Sequence, residues 1–254
     1  MVDCLAIARL FPFAADSAQM HSLHVAAGYL HQCAALQTED DDMRVNNKIR
    51  FQQIEILEKT YLGARPALNF RNPFELLIAV ILSAQCTDKR VNVVTERLFK
   101  RVNTPEDMIH MGQSELESEI RDCGLYHSKA KNIMLACHKL CEEFGGSVPD
   151  DFDALLSLPG VGRKTANVVM SLAFGHPAIA VDTHVFRVSN RLKLAVGETP
   201  LEVERGLQRI IPKEKWSAAH HWLIWHGRKV CKARRPLCME CPLCAVCPSS
   251  GKVV

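Results

Sequence analysis

The sequence predicts an all-α protein, and three observations lead to that prediction. Apolar residues recur at helical spacing over much of the chain from residue 43 onward. Pro, Gly and Asn residues stand where such stretches begin and end. The alternating pattern of a half-buried strand is scarce, and no internal repeat or low-complexity tract is evident.

Length and composition indicate a globular protein. The chain has 254 residues, enough for one large domain or two modest ones, and 48% of them are hydrophobic. The longest apolar run, residues 76–82, is too short to span a bilayer, and no N-terminal stretch has the features of a secretory signal. We therefore expect a soluble, cytoplasmic protein without a membrane partner.

Residues 1–42 differ from the rest of the chain. They hold one basic and six acidic residues and end in an acidic run at 39–42. We interpret them as an atypical acidic extension: a poorly ordered tail, a regulatory segment, or translation from a start codon placed too early. A transit peptide is disfavoured, because such peptides are rich in Arg and poor in acids.

The first strong helix signal lies at residues 72–82. Asn72 can cap a helix and Pro73 suits its first position. The run that follows, 74–82, is apolar on nearly all sides, which predicts a central, buried helix. Further on, Ser114 followed by Glu117 resembles a capping box.

A helix over 132–144 is predicted to end at Gly145-Gly146. Further helices are predicted at 152–157, 163–174, 183–192, 201–210 and 216–228. The apolar residues expected near one face of the 132–144 helix are Ile133, Leu135, Ala136, Leu140 and Phe144.

The stretch LPGVGRKT at 158–165 lies between two of these helices. Gly160 and Gly162 permit a tight turn with positive φ, and the helix that follows offers free N–H groups to a phosphate. Neither the dinucleotide fingerprint nor the P-loop fits the spacing. From the residues alone, an ordinary helix–helix turn remains an alternative.

Lys164 and Asp182 are the candidate catalytic residues. At a helix start, the positive end of the dipole favours the neutral amine that a Schiff-base nucleophile needs. An exposed lysine, or one paired with a phosphate, is the alternative. Asp182 precedes a predicted helix and can act as its N-cap, which is compatible with a second role.

Five of the 11 cysteines crowd into residues 231–247, which favours metal or iron–sulfur ligation over disulfides. One ligand set is Cys238, Cys241, Cys244 and Cys247, which resembles a bacterial ferredoxin run. The other replaces Cys244 with Cys231. A structural zinc site is the non-redox alternative. We expect the remaining cysteines, among them Cys86, Cys123, Cys137 and Cys141, to be structural, and His220, His221 and His226 to serve packing or the surface.

Basic residues gather towards the C terminus. Residues 43–254 carry 30 bases against 22 acids, and residues 205–235 hold nine bases against one acid. Such a patch attracts phosphate backbones, although a solvated basic face would look the same.

Several segments together resemble the endonuclease III family of helix-hairpin-helix DNA glycosylases. They are LSAQCTD at 82–88, GLYHSKA at 124–130, LPGVGRKTANVV at 158–169, VDTHVFRV at 181–188 and HHWLIWHG at 220–227. They occur in the order that the family shows, and the resemblance runs from about residue 43 to residue 251.

The resemblance implies a bifunctional glycosylase and abasic-site lyase that removes oxidised pyrimidines from duplex DNA. It implies that Lys164 attacks C1′ of the damaged nucleotide as a Schiff-base nucleophile, that Asp182 supports the reaction, and that β-elimination cleaves the strand on the 3′ side. Gln85 is expected to fill the gap left by the extruded base and Leu125 to wedge into the opposite strand. Further DNA contacts are expected at Leu158, Gly160, Gly162, His184, Lys232, Arg234 and Arg235.

The family arrangement selects Cys231, Cys238, Cys241 and Cys247 as ligands of a [4Fe–4S] cluster. It also implies two helical domains with a DNA-binding cleft between them. Residues 66–176 would form a six-helix barrel with the hairpin, and 43–65 with 177–254 the cluster domain. We expect a monomer that binds duplex DNA with damaged bases or abasic sites in the bacterial cytoplasm, at the nucleoid.

Three rivals remain at this point. A mismatch adenine glycosylase lacks a lysine at the Lys164 position and has a further C-terminal domain. A non-catalytic module would bind DNA through the hairpin and leave damage intact. A ferredoxin-like electron carrier would not explain residues 66–190.

Overall fold

The computed structural model describes residues 46–251, and the extension expected over 1–42 lies outside them. Every helix and turn in that range belongs to an all-α fold, as predicted. None of these helices is long and apolar enough to cross a membrane. The α-helices of the described range are α1 Asn47–Thr60, α2 Pro73–Leu82, α3 Asp88–Leu98, α4 Pro105–Met111, α5 Gln113–Glu119, α6 Tyr126–Phe144, α7 Phe152–Leu156, α8 Arg163–Ala173, α9 Thr183–Arg191, α10 Pro200–Ile210 and α11 Trp216–Lys229, and short 3₁₀ helices cover Lys213–Lys215, Cys238–Glu240 and Cys244–Val246.

Helix α2 is central and buried, which confirms the prediction for residues 74–82. Asn72 caps it, because its side-chain oxygen accepts a hydrogen bond from the Glu75 N–H at 2.8 Å. Pro73 occupies the first turn, where a backbone N–H would have no acceptor within the helix, so its absence costs nothing. Every side chain from Phe74 to Leu82 is at most 5% exposed, so the helix packs on all sides.

Buried apolar side chains form two clusters. The first surrounds α2 and takes side chains from α3 to α8. The second takes side chains from α1, from α9 to α11, and from Leu243. Gln53 ties α1 into the second cluster, since its Nε2 donates to the carbonyl oxygens of Leu192 at 3.0 Å and Val246 at 2.9 Å. Both ends of the described chain therefore contribute to the second cluster. The domain boundaries and the six-helix barrel predicted from the sequence stay predictions.

Two local predictions were wrong. Ser114 does not cap a helix but lies inside α5, and the capping box belongs to Thr104 and Asp107 at the start of α4. Leu135 is 46% exposed, because the buried face of α6 runs through Ile133, Ala136, Cys137 and Leu140 instead. Helix α6 also begins at Tyr126, before the predicted start, and ends as expected at Gly145 in the left-handed conformation.

Candidate active site and nucleic-acid interface

The turn between α7 and α8 leaves the N terminus of α8 uncapped. At Gly160 φ is +79°, and a Cβ atom there would lie 2.9 Å from Asn132 Cβ, so both conformation and space require glycine. Gly162 was expected to need the same freedom, but its φ of −98° is extended and open to other residues. No side chain caps α8, so its first N–H groups can bind an anion such as a phosphate.

Leu158 contributes to this turn through its backbone. Its carbonyl oxygen accepts a hydrogen bond from the Val161 N–H at 3.1 Å. Its side chain is 2% exposed and packs in the first cluster. Any contact of Leu158 with DNA would therefore come from main-chain atoms.

Lys164 is the second residue of α8 and lines a pocket together with Asp182. Its side chain is half-buried. Burial lowers the pKa of Lys164 below its usual 10.5, and the positive charge of Arg228 lowers it further, while the carboxylates of Asp182 and Asp88 oppose the shift. The net effect favours the neutral amine.

Asp182 is the N-cap of α9, as predicted. Its Oδ1 accepts hydrogen bonds from the backbone N–H groups of His184 and Val185, both at 2.8 Å. These bonds fix the position of the carboxylate at the helix start. Asp182 lines the same pocket as Lys164, so a structural and an electrostatic role can coexist.

The pocket around Lys164 lies between the two apolar clusters. One wall is a stripe of α11 side chains that starts at His220 and His221 and ends at Arg228. The opposite wall comes from α2 and α8, and the chain between α1 and α2 closes one side. The residues that line it are Arg65, Pro66, Ala67, Leu68, Val80, Ser83, Asp88, Lys164, Val168, Leu172, Asp182, His220, His221, Ile224, Trp225 and Arg228.

An ion pair between Arg228 and Asp88 borders this pocket. Arg228 Nη2 lies 2.6 Å from Asp88 Oδ2 and joins the end of α11 to the start of α3. Neither residue was predicted to have a role at the site. A partial signal existed, because Asp88 ends the LSAQCTD segment and Arg228 belongs to the basic stretch at 205–235.

Gln85 and Leu125 occupy neighbouring exposed turns. Both adopt the left-handed conformation that non-glycine residues rarely take, with φ of 52° and 59°. Leu125 is 58% exposed, which is unusual for a large apolar side chain in such a position. A Cβ atom on Gly124 would lie 3.7 Å from the Gln85 carbonyl oxygen, so the two turns are adjacent. Their predicted insertion into DNA stays a prediction.

His184 lines an open groove of about 770 Å³ beside the pocket. The groove is bordered mainly by α3 and by the ion pair of Asp88 and Arg228. His184 Nδ1 lies 3.2 Å from Arg187 Nη2. Burial is the largest cause that lowers the pKa of His184 below its usual value, which favours the neutral ring. The expected approach of His184 to DNA stays a prediction.

Five cysteines line one small, apolar pocket near the C terminus, and no disulfide joins any cysteine in residues 46–251. Burial, and to a smaller extent the neighbouring Cys231 and Cys238, raises the pKa of Cys241 to about 12 and that of Cys247 to about 11. The thiols are thus close enough to repel one another as thiolates, which a bound cationic centre would relieve. Within the described range, no three His, Cys, Asp or Glu side chains converge on a point that could hold a single metal ion. The five are Cys231, Cys238, Cys241, Cys244 and Cys247.

The basic loop between Cys231 and Cys238 is exposed, and hydrogen bonds from Arg191 hold its backbone. Arg191 donates hydrogen bonds to the carbonyl oxygens of Lys232 at 2.6 Å and Ala233 at 2.9 Å. The side chains of Lys232, Arg234 and Arg235 all reach solvent. This fixed backbone presents three positive charges on one short segment.

The histidines of α11 are buried, so of the two predicted placements, packing or the surface, they do not occupy the surface. His220 Nδ1 lies 2.8 Å from the Ala180 carbonyl oxygen, and His226 Nδ1 lies 3.0 Å from the Tyr61 hydroxyl. His221 is 8% exposed, and its Nε2 has no hydrogen-bond partner. Among the cysteines outside the C-terminal group, Cys123 and Cys137 are fully buried, whereas Cys86 and Cys141 are partly buried.

Residues 78–213 match the family described as "HhH-GPD superfamily base excision DNA repair protein". Two relatives are both named Endonuclease III. The protein of Rickettsia conorii is 50% identical over 204 residues, which cover 80% of this chain and 95% of that protein. The protein of Bacillus subtilis is 55% identical over 182 residues, which cover 71% and 83%.

A solved structure of a trapped endonuclease III–DNA covalent intermediate superposes with a TM-score of 0.79 at 52% identity. The superposition covers 82% of this chain and 98% of the other. The likeness therefore extends over nearly the whole of the solved chain.

Proposed function

The chain belongs to the endonuclease III family within the HhH-GPD superfamily of base excision DNA repair proteins, and we propose that it excises damaged pyrimidines through an imine on Lys164. Its class follows from the family: it is a base excision repair DNA glycosylase and abasic-site lyase. Membership disfavours the ferredoxin-like electron carrier.

The observation that carries the proposal is the shared pocket of Lys164 and Asp182. Burial lowers the pKa of Lys164, and a neutral amine has the lone pair that attack on a sugar carbon requires. As the C1′–N bond of the damaged nucleotide breaks, positive charge develops at C1′. The fixed Asp182 carboxylate in the same pocket stabilises that charge.

The bond changes need no reactant beyond the water that finally hydrolyses the imine and releases the Lys164 amine. The Lys164 nitrogen forms a bond to C1′, and the departing base keeps the electron pair of the glycosidic bond and takes up a proton. Opening of the sugar ring gives an imine between Lys164 and C1′. Loss of a 2′ proton then expels the 3′ phosphate by β-elimination.

DNA would enter along the surfaces that carry the uncapped end of α8 and the turns of Gln85 and Leu125. The N–H groups of α8 suit a phosphate oxygen, and the exposed basic loop at 232–235 supplies affinity that does not depend on sequence. Extruding a base costs about a few kcal/mol, which contacts made by the enzyme must offset. We propose duplex DNA with oxidised pyrimidines or abasic sites as the substrate, a monomer as the active unit, and the bacterial cytoplasm, at the nucleoid, as its location.

The C-terminal cysteines fit an iron–sulfur cluster. We propose Cys231, Cys238, Cys241 and Cys247 as the four ligands of a [4Fe–4S] cluster. A single zinc ion needs its sulfurs about 2.3 Å from one point, whereas a cluster spreads four thiolates over four iron atoms. The five described cysteines line one small apolar pocket, which suits a buried group ligated by thiolates and supports the cluster. When bound, the cluster supplies a rigid thiolate cross-link and a redox-capable centre.

Borohydride trapping tests the assignment of Lys164. Incubation with a thymine glycol duplex and borohydride should reduce the imine to a stable protein–DNA adduct, and Lys164→Ala should abolish that adduct. The matched control is Lys100→Ala, at an exposed lysine two residues beyond the end of α3, and this variant should trap normally. Normal trapping by Lys164→Ala would show that another amine is the nucleophile.

A further inference from the structure

His221 is a buried polar group without a partner in the pocket of Lys164. Its side chain is 8% exposed, and its Nε2 makes no hydrogen bond. The great majority of buried polar atoms in folded proteins have a partner, because leaving one unpaired costs about 1–3 kcal/mol. An unpaired nitrogen on a buried side chain that lines a ligand pocket is therefore a candidate contact for a ligand.

The surroundings of His221 suit a flat or puckered ring with a polar edge. On α11 its pocket neighbours are Ile224 and Trp225, and the facing side chains of Val168 and Leu172 on α8 are apolar too. Burial first, and the charge of Arg228 second, lower the pKa of His221. A neutral imidazole can either donate or accept through Nε2, according to its tautomer. The edge of a pyrimidine base offers carbonyl oxygens and N–H groups to such an atom.

We propose that His221 is a specificity-determining residue that hydrogen-bonds, through Nε2, to the edge of the extrahelical pyrimidine. This inference rests on the proposed function and extends it, since it assigns base recognition to a residue separate from Lys164 and Asp182. The α11 stripe then holds the base, while α8 and α9 present the groups that act on the sugar.

The test compares two substrates that differ only in the base. His221→Leu removes the polar atom and fills similar space, so base excision from a thymine glycol duplex should fall about 10- to 100-fold in kcat/KM. Cleavage of a preformed abasic site should stay within about 2-fold, because that substrate has no base to contact. His221→Gln keeps a polar group and should restore part of the excision rate.

Stability provides an independent readout. Since His221→Leu removes an unpaired polar atom from a buried position, its melting temperature should equal or exceed that of the wild type. Ser189→Ala is the matched control: Ser189 Oγ is also buried without a partner but does not line the pocket. That variant should leave the ratio of excision to abasic-site cleavage unchanged.

The outcomes distinguish base recognition by His221 from the glycosylase activity itself. Equal losses on both substrates, or no loss on either, overturn the role of His221 while leaving the glycosylase proposal standing. A lower melting temperature with both activities reduced indicates packing alone and overturns it as well. A wild-type protein that leaves the thymine glycol duplex intact overturns the proposed function and this inference together.

Discussion

Arg163 forms a bidentate ion pair with Glu204. Its Nε donates to Oε2 at 2.9 Å and its Nη2 to Oε1 at 2.6 Å, and Asn167 Nδ2 adds a third hydrogen bond to Oε2 at 3.1 Å. Glu204 is 3% exposed. Because Arg163 directly precedes Lys164, this pair ties the N-terminal end of α8 to α10.

Glu204→Ala should lower the free energy of unfolding by about 2–3 kcal/mol. The substitution removes the nearer of two acceptors of the buried Asn167 amide, which keeps only the Ile179 carbonyl oxygen at 3.5 Å. It also frees Arg163, whose side chain is already 45% exposed and loses less on becoming unpaired. Urea denaturation measures the change. The control is Glu115→Ala in the exposed pair with Arg101, where the loss should stay below about 1 kcal/mol. Equal effects at the two sites would contradict the importance of burial.

The rate of imine formation should rise with pH and level off once Lys164 is neutral. Since burial lowers the pKa of Lys164, the midpoint should lie below the 10.5 of a free lysine. Asp182→Asn removes a carboxylate that raises this pKa, so the midpoint should move to lower pH. Arg228→Met removes a charge that lowers it and leaves Asp88 unpaired, so the midpoint should move to higher pH.

The measurement for this pH dependence is single-turnover trapping on a preformed abasic site, which removes the base-release step from the rate. Lys100→Ala again serves as the control. Shifts of the same sign in the Asp182→Asn and Arg228→Met variants would contradict the electrostatic account of the site.

Two substitutions at Leu125 should separate stability from activity. Leu125→Gly removes the side chain and also the cost of the left-handed backbone, so the protein should gain up to about 1 kcal/mol of stability. Leu125→Ala removes the side chain but keeps that cost. If the side chain wedges into duplex DNA, both variants should excise thymine glycol at least about 10-fold more slowly. Full activity of both variants in single-turnover assays would argue that the exposed leucine has no role in opening DNA.

Each charge in the basic loop should contribute to the salt dependence of DNA binding. Replacing Lys232, Arg234 or Arg235 by Ala should flatten the slope of log K against log salt concentration by about 0.9 for each phosphate that the loop no longer neutralises. Fluorescence anisotropy with an undamaged duplex at several salt concentrations gives the slope. Lys59→Ala, at an exposed lysine on α1, is the control and should leave it unchanged. A slope that stays constant in all three loop variants assigns phosphate binding to another surface.

The purified protein should be brown, with a broad absorption band near ~400 nm. The band should disappear when a ligand cysteine is replaced by serine, because a hydroxyl is a poor replacement for a thiolate ligand. The four variants to test are Cys231→Ser, Cys238→Ser, Cys241→Ser and Cys247→Ser. Cys244→Ser should keep it, although Cys244 lines the same pocket. Loss of the band in Cys244→Ser but not in Cys231→Ser would favour the ferredoxin-like ligand set. A colourless protein with one zinc ion per chain would exclude the cluster.

Local signals in the sequence were enough for the helical class and for several helix ends. The Asn72 cap, the buried run of α2 and the stop at Gly145 each depend on residues within a few positions of one another. The same kind of signal was misleading at Ser114, where the pattern predicted a capping box. The structure has the capping box at Thr104 and Asp107 instead. A capping pattern shows that a helix can begin there but not that it does.

Sequence by itself thus determined the all-α class, the candidate residues Lys164 and Asp182, and the cysteine group. Only the packed structure shows that Asp88 pairs with Arg228, that Arg163 pairs with Glu204, and that His221, which lines the pocket, has an unpaired Nε2. The physical reason is the separation along the sequence between the residues that interact. Caps and periodic faces arise from neighbours along one helix, whereas these contacts join side chains that are far apart in the sequence and meet only once α3, α8, α10 and α11 have packed around the two clusters.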